Sequence, residues 1–103
     1  MGLDITLHRK GIPWDKDYYY NGRSTYREVI EFMKNTYYYP SGMDYPLSFT
    51  ICEQLKGLIV KTILENINDE MKATKLKAMF YDLTNIQIDM DNNNTNWYFE
   101  ATW

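Results

Sequence analysis

Leu3, Ile5 and Leu7 alternate with Asp4, Thr6 and His8. A period of two with branched residues predicts a strand over 2–9 with one wet face. Gly11 and Pro13 end it, and 11–23 reads as a loop closed by the turn pair Asn21-Gly22. The spacing then changes to that of a helix opening at Ser24 or Thr25. Tyr26, Val29, Ile30, Met33 and Tyr37 share one stripe, Thr25 and Glu28 have capping-box spacing, and Arg27 with Glu31 forms an i,i+4 pair. Pro40 and Gly42 stop this helix, and a short loop with Tyr45-Pro46 follows.

A second helix is predicted from Ser48 or Thr50 to about Ile67, with Thr50 and Glu53 again at capping-box spacing. Ile51, Leu55, Leu58, Ile59, Ile63 and Leu64 cover a broad face, and Val60 and Ile67 widen it, so this helix is expected at the centre of the core. Gly57 inside it costs about 1 kcal/mol relative to alanine, which points to close packing against a neighbour. Asn68 or Asp69 caps a third helix over about 69–82, with Ala73, Leu76, Met79, Phe80 and Leu83 on its buried side and Lys72 and Lys75 in solvent. The tail then reads as a hairpin. Ile86, Ile88 and Met90 alternate with Gln87 and Asp89, residues 91–96 make a polar turn, and Trp97, Phe99, Ala101 and Trp103 alternate with polar neighbours.

These elements predict one α+β domain over 1–103. Its sheet is small, mainly antiparallel and three-stranded, built from the N-terminal strand and the C-terminal hairpin. Three helices are expected on one face. At 45% hydrophobic the chain can build a real but small core. A net charge of −3 argues against a general nucleic-acid binder. Residues 69–103 carry three basic and six acidic groups, so the C-terminal end is the acidic end. No apolar run reaches membrane-spanning length, and no signal peptide opens the chain. The single Cys52 excludes a disulfide framework and fits a reducing compartment, the cytoplasm.

Ten residues are tyrosine, and six stand in two identical runs, Tyr18-Tyr19-Tyr20 and Tyr37-Tyr38-Tyr39. Three neighbouring rings cannot all enter one core, so some must stand near water, where a ring that stacks and hydrogen-bonds can grip a partner. With Trp14 the two runs bracket a candidate partner-binding surface, with charges at Asp15, Asp17 and Arg23. The bland alternative has each run give one or two rings to the core and leave the rest as ordinary helix ends.

Catalytic and metal chemistry finds little material. Asp89, Asp91, Asn93 and Glu100 nearly fit a calcium loop, but Asn94 stands where glycine is wanted and the flanks read as strands. One histidine and one cysteine cannot make a zinc site. A nucleophile pair would need Cys52 and His8 to meet, whereas core packing and a strand surface account for them more simply. There is no phosphate-binding glycine loop and no serine elbow. The expectation is a protein with no catalytic residue, no metal and no cofactor.

The opening Met1-Gly2-Leu3-Asp4-Ile5-Thr6-Leu7 resembles small bacteriophage and prophage proteins that begin Met-Gly-Leu-Asp, two variable residues, then Leu. The same start matches a myristoylation pattern, which the apolar alternation reads instead as a strand. What the resemblance implies is a viral accessory protein in the bacterial cytoplasm, of the kind that includes anti-CRISPR and other anti-defence inhibitors. The partner expected is a host protein, with no membrane and no sequence-specific nucleic acid, and a homodimer is left open. The other reading is a small-molecule binder that sequesters a nucleotide signal.

Overall fold

Ser48 and Asp69 decide where the two long helices begin. The Ser48 hydroxyl accepts from the Ile51 amide at 3.1 Å, and the Asp69 carboxylate accepts from the Lys72 amide at 3.0 Å. Each satisfies an amide that the helix itself leaves without a partner. The computed structural model describes residues 4–9, 18–20, 27–37 and 44–102. In chain order these form β1 (Asp4–Arg9), β2 (Tyr18–Tyr20), α1 (Arg27–Tyr37), β3 (Asp44–Leu47), α2 (Phe49–Glu65), α3 (Glu70–Asn93) and β4 (Trp97–Thr102). The fold is α+β, with three helices and a small antiparallel sheet of order β2-β1-β4-β3.

The sheet is assembled differently from the predicted hairpin. β1 does pair with the last strand, with Ile5 opposite Ala101 and Leu7 opposite Phe99. The segment 86–90, however, is not a strand but the C-terminal part of α3. Its alternation of Ile86, Ile88 and Met90 hides a second period. Leu76, Met79, Leu83, Ile86 and Met90 recur at three and four residues, and no glycine or proline interrupts them. Leu76, Met79, Leu83 and Ile86 are buried, whereas Ile88 is 52% exposed, as a helical period requires. Asn94, in the left-handed conformation at φ 51°, ends the helix, a place where asparagine stands in for glycine.

The two strands missing from the prediction, β2 and β3, are the edges of the sheet. β3 contains Pro46, opposite Tyr98, and proline suits an edge strand because it has no N–H to donate to a ladder. One face of the sheet gives Ile5, Leu7, Leu47, Trp97 and Phe99 to the same buried cluster as Val29, Met33, Leu55, Ile59, Leu76 and Leu83 of the helices. Lys72, expected in solvent, is instead only 15% exposed and bridges the starts of α3 and α1 by an ion pair to Glu28 at 3.0 Å. Residues 24–26, where the first helix was predicted to open, lie outside the described residues.

Candidate functional site

The backbone places the two tyrosine runs in different elements. Tyr18, Tyr19 and Tyr20 are the whole of β2, which pairs antiparallel with β1 through Ile5, Thr6 and Leu7. Tyr37 is the last residue of α1. The side chains of these four residues, and Trp14, Asp15, Asp17, Arg23, Tyr38 and Tyr39 altogether, lie outside the described residues.

The carboxylate that anchored the calcium reading is occupied by the protein itself. Asp89 stands near the end of α3. Arg9 Nη1 at the end of β1 donates to both of its oxygens, at 3.1 and 3.2 Å. Asn93 Nδ2 donates at 2.8 Å, Trp97 Nε1 at 2.9 Å, and the Thr95 hydroxyl closes the short connection into β4. The Arg9 guanidinium also lies 5.9 Å from the centre of the Trp97 ring. Burial works to raise the Asp89 pKa, but the hydrogen bonds from Thr95, Trp97, Asn93 and Arg9 outweigh it and hold the group at about 2. The segment is therefore a helix end, a turn and a strand locked to β1, where two flanking strands were expected. Among the described residues, no three His, Cys, Asp or Glu side chains gather where they could hold a metal.

Cys52 is fully buried in α2, and burial pushes its thiol up to about 12, with the Lys56 charge opposing this and Glu53 adding to it. Cys52 therefore packs as a core residue with its thiol held in the protonated form. His8 lies in the row of β1 opposite to Ile5 and Leu7 and faces the Tyr98 ring at 6.2 Å between centroids.

Between α2 and α3 the contact is polar at one end. Gln87 is buried and accepts from Lys56 Nζ at 2.9 Å, while its own amide donates to Glu53 at 2.8 Å and to the Phe49 carbonyl at 3.3 Å. Lys56 also sits 4.8 Å from the centre of the Phe80 ring. These contacts fix α2 and α3 as antiparallel neighbours joined by the turn at 66–69.

The outer side of that helical hairpin holds what sequence reasoning missed. Among the described residues, every large apolar side chain more than two-fifths exposed belongs to α2, α3 or the turn between them: Phe49, Val60, Leu64, Ile67, Met71, Tyr81 and Ile88. Val60 and Tyr81, with Ile63, Phe80 and Lys77, line a shallow hollow of about 240 Å³. The signal was the excess breadth of the apolar face of α2, read as centrality in the core. Only the arc through Cys52, Leu55, Ile59 and Thr62 is buried. Gly57 also departs from expectation, because among the described residues no neighbouring element lies within 4 Å of where its Cβ would stand.

No family model matches the chain, and no curated protein or solved structure matches it either. Among the described residues, no helix is long and apolar enough to cross a membrane.

Proposed function

We propose that this is a non-enzymatic binding protein of the phage accessory kind, which acts by covering a surface of a host protein. The target class is a defence component such as a CRISPR effector. The observation that carries the reading is the position of the first tyrosine run: it forms an entire edge strand of the sheet. Edge strands and tyrosine-rich surfaces are both materials of protein recognition. The second run begins at the last residue of α1, so the two runs fall at separate element ends and suit an extended contact more than one small pocket. The N-terminal resemblance supplies the phage context.

The test is retention from host lysate by the tagged chain, alongside a chain with Tyr18, Tyr19, Tyr20, Tyr37, Tyr38 and Tyr39 changed to alanine. A host protein held by the first and released by the second, with the variant's circular dichroism unchanged, supports the reading. Retention of nothing, or equal retention by both, refutes it. Thermal melting with a panel of nucleotides separates out the small-molecule reading, since a ligand that favours the folded state raises the melting temperature.

A further inference from the structure

We infer that the outer face of the α2–α3 hairpin is where a second copy of this chain packs, two-fold symmetrically, to make a four-helix contact. The inference goes beyond the tyrosine reading and does not depend on it. Three observations carry it.

The first is area. Val60, Leu64, Ile67 and Tyr81 are 45%, 64%, 68% and 66% exposed. Together they leave on the order of 500 Å² of surface in water, within the upper part of the range for the largest patch on an ordinary monomer. That is more than half of the roughly 800 Å² that each partner contributes to a stable interface. Val60 and Tyr81 share one hollow, Leu64 stands one turn beyond Val60, and Ile67 follows at the hairpin tip.

The second is charge. The exposed ionic residues flanking the patch are Lys61 and Glu65 on α2, Asp69 at the turn, and Glu70 and Lys77 on α3, two basic and three acidic. Among the described residues, none of the five makes an ion pair within 4 Å. A face for a strongly charged partner would carry one sign, whereas a face of mixed sign can meet itself. Packing α2 antiparallel to its copy, with Val60 opposite the second copy's Leu64, brings Lys61 within reach of the second copy's Glu65, and the reverse.

The third is Gly57. Its Cβ position meets nothing within 4 Å among the described residues, yet glycine is the least favourable residue for a helix interior after proline. In the same antiparallel register Gly57 falls just beyond the end of the second copy's α2, where the missing side chain leaves room for that copy's turn. The glycine thus acquires a packing role in the pair.

Sedimentation equilibrium of the full chain tests this. The wild type is expected at twice the 12.4 kDa chain mass at micromolar concentration. Leu64→Glu is expected to raise the dissociation constant at least about 100-fold while helical circular dichroism stays the same. Lys61→Glu is expected to weaken pairing about 5–10-fold, and Lys61→Glu with Glu65→Lys to restore it. This rescue holds the test open should Leu64→Glu misfold. A wild type at one chain mass, a Leu64→Glu variant that folds and still pairs, or a double reversal that pairs no better than Lys61→Glu alone overturns the inference. The six-tyrosine variant is expected to pair as the wild type does, which keeps this result separate from the fate of the tyrosine reading.

Discussion

Around Asp89, four side chains from β1, the end of α3, the connection and β4 converge on one carboxylate, and both of its oxygens accept. Along Val60, Leu64 and Tyr81, on the other side of the helical hairpin, large apolar groups stand in water. The first region is polar and closed within the chain, and the second is apolar and left open. A buried polar group without partners costs more than an apolar one left exposed, so folding supplies donors to both oxygens of Asp89. An exposed apolar face loses little in the single chain and gains only when something covers it. The residues of α3 that hold the fold and those that stand in water are therefore separable.

The largest expected effect tests the helical course of α3 that puts the two regions on different sides. Ile86→Ala should cost about 2–4 kcal/mol of folding stability, because Ile86 is fully buried. Ile88→Ala should cost less than about 0.5 kcal/mol, because Ile88 is 52% exposed. Urea unfolding of the two variants checks both. Equal losses would fit a strand at 86–90 and break the comparison at its base.

Next in size is the Asp89 lock. Its folded-state pKa of about 2 lies below the ordinary 3.8, so the charged form is favoured in the folded protein. With solvent discounted for a side chain 16% exposed, this contributes about 1–2 kcal/mol. The contribution is complete above about pH 5 and is lost as pH falls through 4 toward 2. Asp89→Asn should lower stability by that amount at neutral pH and flatten the fall between pH 4 and pH 2. Chemical unfolding across that range measures it, and an unchanged acid limb in the variant would show that the carboxylate is not what locks the strand.

The smallest effect sharpens the open side. Gly57→Ala should make the separated chain more stable by up to about 1 kcal/mol, since the new methyl group meets nothing and alanine favours the helix. The same change should loosen pairing at the α2–α3 face. Melting at low and at high protein concentration distinguishes the two, with the variant ahead of wild type when dilute and losing that lead when concentrated. A lead that is independent of concentration would leave Gly57 without a role in packing.

The two regions differed in how far the sequence announced them. Ser48, Asp69 and the Leu55–Ile59 stripe mark the two long helices because capping and periodicity act locally. Residues 86–90 satisfy period two and the helical period together, and the row of Leu76, Met79, Leu83 and Ile86 at helical spacing, continued by the partly buried Met90, decides between them. β2 and β3 are three and four residues long, one all tyrosine and one holding Pro46, and only pairing with β1 and β4 makes them strands. The Asp89 cluster joins residues 80 positions apart, beyond any local pattern. The apolar excess on α2 was visible as breadth, but which part of that breadth is buried depends on where α3 lies. The tyrosine runs are the most legible feature in composition, and the structure places the first of them as β2.

The central claim is that the open face of α2–α3 is closed by another copy of the chain. A nitroxide placed at Lys61→Cys, with Cys52 sealed in the core, reports it directly. Helices in contact lie about 8–10 Å apart. Two labels beside a two-fold axis near Val60 and Leu64 should therefore show strong dipolar coupling, which Leu64→Glu abolishes. Labels that remain magnetically isolated at concentrations well above micromolar would contradict the account.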